Sequence, residues 1–320
     1  MPPDSHSPLH QEALASRVNE LYHDFQAKEF DHLHRLRHRI ERSFWRLEVV
    51  PRLKAARLRQ GLDLCTGTGF VPRVLLEQLD HTARIICVDL SEGALQQTRS
   101  FLSEFADRIT TRAGDVQALP LPDTSVDWVT LNAGLHHIPR PEDTLREIDR
   151  VLKPGGYFCL GYEPNAAFAS CRMVFLLERA IWHLLWYFSI SQNRRRLRQW
   201  FGRPAEVYED SEHLSRINTT LAAEGLIGCP LSLEELRRLV DLHTHTNEAH
   251  PAGFDPADLL GRCFPEYTVA TLLVTDFGGE MLRKHPWWRR IYDGVLGALC
   301  PGKGRLFSWV IRKPTTPQSG

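Results

Sequence analysis

The stretch that decides the fold is Gly61-Leu-Asp-Leu-Cys-Thr-Gly-Thr-Gly-Phe70, a short apolar run followed by a glycine-rich turn. The run has the length of a buried strand, and Gly67 and Gly69 mark a tight turn into a helix. Glycine permits positive φ and lets a ligand approach the backbone closely. The motif alone is weak evidence, because a strand-to-helix turn without any ligand reads the same way and dinucleotide enzymes use similar turns.

Short apolar runs and helical stretches alternate from residue 61 to residue 162. The runs show little polar alternation, which suits strands that helices cover on both faces. The rhythm is typical of parallel βαβ units. We expect strands at Leu62–Cys65, Arg84–Leu90, Ile109–Ala113, Trp128–Leu131 and Tyr157–Tyr162, with helices at Pro72–Leu79, Ala94–Phe105 and Pro141–Val151 between them.

The flanking segments follow a different pattern. Helical spacing extends from Gln11 to Arg59, and Pro51 is expected to break this helix near its end. Its arginine-rich second half is interpreted as a solvated amphipathic face, with an anion-binding or partner surface as the alternative. After residue 162 the pattern is helical, with a segment at Ser232–Leu242, and strand patterning resumes at Tyr267–Thr275 and Arg305–Arg312. We therefore divide the chain into an N-terminal helical element (1–60), an α/β core (61–162), a helical lid insertion (163–262), closing strands (263–313) and a tail (314–320).

Acidic residues stand at three consecutive strand ends, at positions 63, 89 and 115. The carboxyl ends of parallel strands are where such sheets bind ligands. A carboxylate at Asp89 can accept both hydroxyls of a ribose, as the acidic residue of dinucleotide folds does, and Asp115 can meet an adenine amino group. Each acid alone is more often a strand-end cap. Three in register favour a nucleoside site.

Residues 61–160 resemble the core of class I S-adenosylmethionine-dependent methyltransferases, in particular the ubiquinone/menaquinone-biosynthesis (type 11) small-molecule group. The resemblance covers about a third of the chain, and one departure is Cys65, where the family has a glycine. It implies a doubly wound, seven-stranded α/β fold with a mostly helical lid between strands 5 and 6. The matching pieces are Asp63-x-Cys65-x-Gly67-x-Gly69, Val88-Asp89-Leu90-Ser91, Gly114-Asp115-Val116, Asp127-Trp128-Val129, Leu135-His136-His137, Arg150-Val-Leu-Lys-Pro-Gly-Gly156 and the terminal Phe307–Pro314, which resembles the family's antiparallel last strand.

Carried over position by position, the resemblance implies a binding site for S-adenosylmethionine. The turn at 65–69 would pack against the methionine part, held by Asp63. The ribose would meet the end of the second strand, and the adenine the end of the third. The implied cofactor-binding residues are Asp63, Cys65, Thr66, Gly67, Thr68, Gly69, Asp89, Leu90, Asp115, Val116, Asn132 and Ala133.

A nicotinamide oxidoreductase is the competing nucleotide-binding interpretation. Its fingerprint needs a third glycine for close helix–strand packing, and Pro72 stands at that position. Asp63 beside a pyrophosphate would be electrostatically unfavourable, whereas beside a sulfonium and an ammonium it is favourable. The sequence therefore favours the methyl donor.

The expected acceptor side of the site follows the fourth and fifth strands. His136 and His137 are candidate catalytic bases, since a histidine near neutrality can take a proton from a phenol or an acidic carbon; a packing and loop-shaping role is the alternative. Methyl transfer to an oxygen, nitrogen or carbon of a moderately hydrophobic small molecule, such as a natural product, a quinone or a lipid-like compound, is expected. Candidate acceptor-binding residues are Tyr22, Tyr162, Glu163, Trp182 and Trp186.

Other chemistries stay open at this stage. The same cofactor could serve a rearrangement or cyclisation, or the chain could be a non-catalytic, membrane-associated scaffold. The apolar segment Met173–Ile190 could pack under the insertion, form a subunit interface or dock on a bilayer surface beside the arginines of 194–198. His243, His245, His250 and Glu248 are interpreted as polar loop residues, so no metal is expected.

Composition sets broader limits. Lys plus Arg equals Asp plus Glu, 39 each, so no global field would recruit nucleic acid. The seven cysteines never show C-x-x-C spacing, which favours a reducing compartment over a disulfide framework. Without a recognisable signal peptide or spanning segment, we expect a cytoplasmic protein, monomeric or dimeric, whose partner is a small-molecule acceptor, with peripheral membrane contact left open.

Overall fold

The computed structural model describes residues 7–27, 35–169, 171, 176, 206–244, 252–277 and 286–315. Within these ranges seven strands form one sheet. They are β1 (Gln60–Leu64), β2 (Arg84–Asp89), β3 (Ile109–Ala113), β4 (Val126–Asn132), β5 (Leu152–Pro164), β6 (Thr268–Thr275) and β7 (Leu306–Arg312).

The strand order is β3-β2-β1-β4-β5-β7-β6. Strands β1 to β5 pair in parallel, and β7 lies antiparallel between β5 and β6. The doubly wound, seven-stranded fold class and the antiparallel last strand are thus confirmed. The order reverses between β1 and β4, and such a switch point opens a crevice at the carboxyl ends of the strands.

Helices flank the sheet and extend beyond it. The N-terminal part contains α1 (Pro8–Gln26), α2 (Arg35–Phe44), a π-helical turn (Trp45–Val49) and α3 (Val50–Ala55). The core contains α4 (Phe70–Leu76), α5 (Glu92–Phe101), α6 (Pro141–Val151) and two 3-10 turns (Ser103–Phe105 and Leu135–His137). The remaining helices are α7 (Ala166–Ala169), α8 (Glu206–Ala223), α9 (Leu233–Val240), α10 (Pro256–Cys263) and α11 (Pro286–Leu299).

The N-terminal helix prediction was wrong about Pro51. This residue lies in the first turn of α3 and begins that helix instead of ending one. A proline is tolerated there because the first N–H groups of a helix have no intrahelical partner. The π-helical turn before it buries Trp45 and Val49 against the sheet, so a local widening replaces the expected break.

Two apolar layers cover the sheet. One packs α6 and α10 on the face that includes Val129, Leu131 and Phe158. The other packs the π-helical turn, α3 and α4 against Trp128 and Cys159. Coverage on both faces explains why the strands of the sequence lack polar alternation.

A third apolar cluster lies outside the sheet and joins distant parts of the chain. Val18 and Leu21 of α1 pack with Ile217 and Leu221 of α8 and with the apolar side of α9. We call α1, α8 and α9 together the helical cap. Helix α9 begins with a capping box between Ser232 and Glu235, close to the predicted start.

No helix in the described parts of the chain is both long and apolar enough to cross a bilayer. The predicted apolar helix at Met173–Ile190 and the arginines of 194–198 lie outside the described residues, apart from position 176.

Candidate functional site

The glycine-rich turn joins β1 to α4 at the switch point of the sheet. Cys65 follows β1 with φ at +50°, and Gly69, at φ +90°, is the residue before the first turn of α4. The amide of Thr66 donates to the carbonyl of Val88 at 3.1 Å, which anchors the turn on β2. A left-handed φ suits glycine and strains other residues, so Cys65 holds a conformation that the family fills with glycine.

A neighbouring glycine makes room for Cys65. A Cβ atom placed on Gly134 would lie 2.6 Å from Cys65 Cβ and 3.1 Å from its Sγ. The thiol therefore fills the space that Gly134 leaves empty in the loop after β4. Burial, with help from nearby carboxylates, raises the pKa of the Cys65 thiol well above its usual range, so this side chain is a packing group and not a nucleophile.

Asp63 lies under the turn. It is 2% exposed, and its carboxylate accepts hydrogen bonds from the hydroxyls of Thr66, at 2.6 Å, and of Thr130. Burial raises the pKa of Asp63 to about 7, although the two hydroxyl donors oppose the shift. Asp63 therefore joins the turn, through Thr66, to β4, through Thr130.

Asp89, at the end of β2, faces the same turn. Its two oxygens accept the amides of Gly67, at 2.8 Å, and of Ser91, at 2.9 Å. Burial raises the pKa of this carboxyl. The Leu90 amide is a third backbone donor to this carboxylate, whose two oxygens together can accept about four hydrogen bonds. Asp89 can therefore receive hydroxyl groups from a ligand.

Asp115 completes the set of strand-end acids. It is exposed and accepts the Gln117 amide at 2.8 Å, while Val116 beside it is buried in the core. The charges of Asp63, Asp89 and Asp115 all act on the Cys65 thiol. Asp63 and Asp89 thus bond to the turn, and Asp115 follows β3, the strand beside β2, at the same edge of the sheet.

The end of β4 carries a network that the sequence did not reveal. The side-chain amide of Asn132 donates to Glu41 Oε2 at 3.0 Å, and Trp45 Nε1 donates to Asn132 Oδ1 at 3.3 Å. Glu41 is 1% exposed and accepts Arg37 Nε at 2.6 Å. The arginine-rich helix α2 was interpreted as a solvated face. Its Arg37–Glu41 ion pair instead lies at the end of β4, where Glu41 contacts Asn132. Ala133, next in the chain, adopts φ +48°.

Glu163 organises the loop that follows β4. It is fully buried, and its carboxylate accepts the amides of Gly134 at 2.8 Å, Leu135 at 2.9 Å and His136 at 3.2 Å. His136 Nδ1 lies 2.8 Å from Glu163 Oε2. The Glu163 carboxylate already accepts three amides, so Nδ1 of His136 is the donor in this pair, and Nε2 is the ring nitrogen on the side away from Glu163.

His137 turns towards the helical cap. Its Nδ1 lies 2.7 Å from the carbonyl oxygen of Val240 at the end of α9 and 3.4 Å from Asp241 Oδ1. Burial first, and then the nearby histidines, lower the pKa of His137 well below its usual range. The ring is therefore neutral near pH 7.

Helix α1 reaches the same edge. Asp24 Oδ1 accepts the hydroxyl of Ser91 at 2.6 Å and the amide of Gly93 at 2.7 Å, at the start of α5. The ring of His23 meets that of His137 edge-on, with centroids 5.1 Å apart. The cap thus closes over the end of β2. Nothing in the local sequence around Asp24 signals this contact.

The other predicted acceptor residues occupy varied positions. The hydroxyl of Tyr22 accepts Gln26 Nε2 at 2.8 Å, on α1. Tyr162 is 6% exposed, and its amide donates to Ser308 Oγ at 2.9 Å. Trp182 and Trp186 lie outside the described residues. Contact of any of these with an acceptor stays a prediction.

Comparison with known proteins adds independent information. The methyltransferase domain family matches residues 62–160. A demethylmenaquinone methyltransferase from Staphylococcus saprophyticus is 31% identical over 144 residues, which cover 45% of this chain and 61% of the relative. A ubiquinone/menaquinone biosynthesis C-methyltransferase from Methylobacterium nodulans is 33% identical over 150 residues, covering 46% and 59%. The chain thus spans about three fifths of the length of these curated relatives.

A solved S-adenosylmethionine-dependent methyltransferase from Mesorhizobium loti superposes with a TM-score of 0.44 at 16% identity, over 80% of this chain and 91% of that one. This similarity is too low to bear on function.

The residues present fit S-adenosylmethionine. Carboxylates surround the turn, which suits a cationic sulfonium and an ammonium, and Asp89 keeps acceptor sites for ribose hydroxyls. The matched family uses this cofactor. Residues 62–160 therefore match the sequence pattern of a methyltransferase domain.

Proposed function

We propose that the whole chain is an S-adenosylmethionine-dependent methyltransferase whose acceptor is a moderately hydrophobic small molecule. The observation that carries the proposal is the position of Asp63, Asp89 and Asp115 at the ends of three neighbouring parallel strands, where Asp63 and Asp89 also bond to the turn. A site with this charge favours a cation over a pyrophosphate. The transfer would deliver a methyl group to an oxygen, nitrogen or carbon atom.

In this proposal each strand end takes one part of the cofactor. The turn at 65–69 packs against the methionine part, with Asp63 holding the turn from below. Asp89, with Leu90 beside it, receives the ribose hydroxyls. Asp115 and Val116 flank the adenine. Asn132 and Ala133 would lie beside the sulfonium, where Glu41 fixes the Asn132 amide.

The loop at 133–137 is the proposed acceptor side. Glu163 fixes this loop and the tautomer of His136, and His137 is neutral near pH 7. Ring nitrogens beside the methyl group can activate an acceptor, either by taking its proton or by ligating a cation that lowers the pKa of the acceptor. We assign activation of the acceptor to this histidine pair.

A quinone-like or lipid-like acceptor agrees with two features. The relatives at 31–33% identity are named for ubiquinone and menaquinone biosynthesis. The insertion 163–262, the lid in this proposal, has an apolar, aromatic sequence in its first part. The core at 61–162 and the closing strands at 263–313 would then hold the cofactor while the N-terminal element and the lid enclose the acceptor.

The first test is calorimetry with S-adenosylmethionine and S-adenosylhomocysteine. Asp89→Asn should weaken binding about 10- to 100-fold, since a hydrogen bond to a charged group contributes about 1.5–3 kcal/mol. Asp80→Asn, at an exposed acid far from the turn, is the matched control. Absence of cofactor binding by the unmodified chain would favour a non-catalytic scaffold.

The second test follows S-adenosylhomocysteine release with a panel of hydroquinones, phenols and lipid-like amines. Product formation with any acceptor supports the proposal. Turnover of a substrate without S-adenosylhomocysteine would instead indicate rearrangement or cyclisation. If His136→Ala and His137→Ala both keep kcat near the unmodified value, the acceptor is activated elsewhere.

A further inference from the structure

We propose that His136, His137 and Asp241 form a binding site for a divalent transition metal of the zinc class. Asp241 follows α9 of the helical cap, and the two histidines lie in the 3-10 turn after β4. One nitrogen or oxygen from each residue lies within 4.8 Å of the other two. The cap and the sheet therefore each supply part of one donor set.

One of the three donor pairs already has the separation of a tetrahedral centre. Asp241 Oδ1 lies 3.4 Å from His137 Nδ1 and 3.8 Å from His136 Nε2. Ligands about 2.0–2.2 Å from a tetrahedral zinc ion are roughly 3.3–3.5 Å apart. The first pair already has this separation, and a small rotation of either side chain would bring in the second.

The tautomer of His136 is the one that a metal requires. Its Nδ1–H donates to Glu163, so Nε2, the atom 3.8 Å from Asp241 Oδ1, is the ring nitrogen that would ligate a metal. A carboxylate that orients a ligating histidine in this way is a regular feature of metal sites. Glu163 is itself fixed by three backbone amides, which makes the orientation rigid.

His137 must give up one contact to join the set. Its Nδ1 donates to the carbonyl of Val240 at 2.7 Å. This carbonyl is at the end of α9, where helix carbonyls lack intrahelical partners and water can replace the donor. A shift of the ring proton to Nε2 would leave Nδ1 free to ligate, with no change in the net charge of the ring.

The site would have an open position. The side chains of His136, His137 and Asp241 are 9%, 20% and 41% exposed, so an ion can enter from solvent. Three protein ligands with a free fourth position characterise catalytic rather than structural zinc sites. An oxygen of the acceptor is the proposed fourth ligand, and only this part rests on the proposed function.

The test is metal binding by the full-length protein after dialysis against a chelator. Titration with Co²⁺, followed by visible absorption, and with Zn²⁺, followed by calorimetry, should each give one ion per chain. Asp241→Asn and His136→Gln should weaken the binding of both ions at least tenfold. His81→Gln is the matched control, because His81 Nδ1 lies 3.2 Å from Asp80 Oδ1 in an exposed His–Asp pair and should contribute nothing.

Two outcomes would overturn the proposal. The first is the absence of saturable binding, or binding that survives in both site variants. The second is loss of binding in His245→Gln or His250→Gln while Asp241→Asn still binds, which would move the ion to that other histidine segment. Binding of S-adenosylhomocysteine by each variant shows that it is folded and that the cofactor site is intact. A failure of the methyltransferase proposal would instead appear as absence of S-adenosylhomocysteine binding by the unmodified protein.

Discussion

The fit between Cys65 and Gly134 predicts a strong coupling between the two positions. In Gly134→Ala the new methyl carbon would start 2.6 Å from Cys65 Cβ. Carbon atoms prefer a separation of about 3.5–4.0 Å, so one segment must move by about 1 Å. Overpacking of this kind costs about 1–3 kcal/mol. Because the turn is part of the proposed cofactor site, we expect the Kd for S-adenosylmethionine to rise about tenfold, which corresponds to about 1.4 kcal/mol.

Cys65→Gly should remove most of that cost. As a single variant, Cys65→Gly should gain about 1–2 kcal/mol of stability, because glycine adopts a left-handed φ without strain. It should lose about 0.5–1 kcal/mol, because glycine has more conformational freedom in the unfolded chain. With the thiol also gone from its packing position, the net change should be small. In the double variant the nearest atom to the added methyl is Leu131 Cδ2, at 3.4 Å, a tolerable contact.

The assay is a double-mutant cycle of urea unfolding and cofactor calorimetry. A coupling energy of at least about 1 kcal/mol is expected between residues that touch. Gly261→Ala is the control, since its Cβ would meet nothing and alanine is the better helix former. If Gly134→Ala costs the same with and without the thiol, the packing argument is refuted.

Three further predictions follow from the site. Burial raises the pKa of Asp63 to about 7, so the stabilisation that the protonated carboxyl provides below about pH 4 is lost as the pH rises through about 7. In Asp63→Asn the free energy of unfolding, measured with urea, should therefore fall less between about pH 5 and pH 8. An unchanged fall over this range would contradict the prediction. Glu163→Ala leaves three amides and a histidine unpaired and should lower the free energy of unfolding in urea by about 3–5 kcal/mol. The surface variant Glu104→Gln should change it by no more than about 0.5 kcal/mol. Equal stabilities of the two variants would refute the role of Glu163 in fixing the loop. Gly93→Ala places a Cβ 2.7 Å from Asp24 Oδ1 and should weaken cofactor binding, measured by calorimetry, about 3- to 10-fold. Asp24→Asn should weaken it by a similar factor, and the double variant should bind no more weakly than either single variant.

Local pattern was enough to predict the sheet and its strand ends. A few neighbouring residues are enough to identify each strand, the turn at Gly67 and Gly69, and the acids at 63, 89 and 115. Parallel topology then brings separate strand ends to one edge without any further information. The fold class and the meeting of the three acids could therefore be predicted before the structure.

Contacts between distant segments could not be predicted in this way. Glu41 reaches Asn132, and Asp24 reaches Ser91, across separations that no local periodicity encodes. The arginine-rich helix was interpreted as a solvated face because its charges dominate its composition, yet Glu41 is buried. Glu163 was expected to meet the acceptor, but the structure shows its two oxygens bonded to the loop beneath it. Tertiary packing, not sequence pattern, assigns these residues.

The helical cap also has a consequence for synthesis on the ribosome. Val18 and Leu21 cannot pack against Ile217 and Leu221 until these residues are synthesised, roughly 200 residues later. At ordinary elongation rates this takes roughly 10–40 s. The sheet strands from β1 to β5 emerge during this interval and can pair while α1 still lacks its apolar cover. Nascent chains stalled before residue 217 should therefore hold a protease-resistant sheet next to an N-terminal helix that proteases still cut.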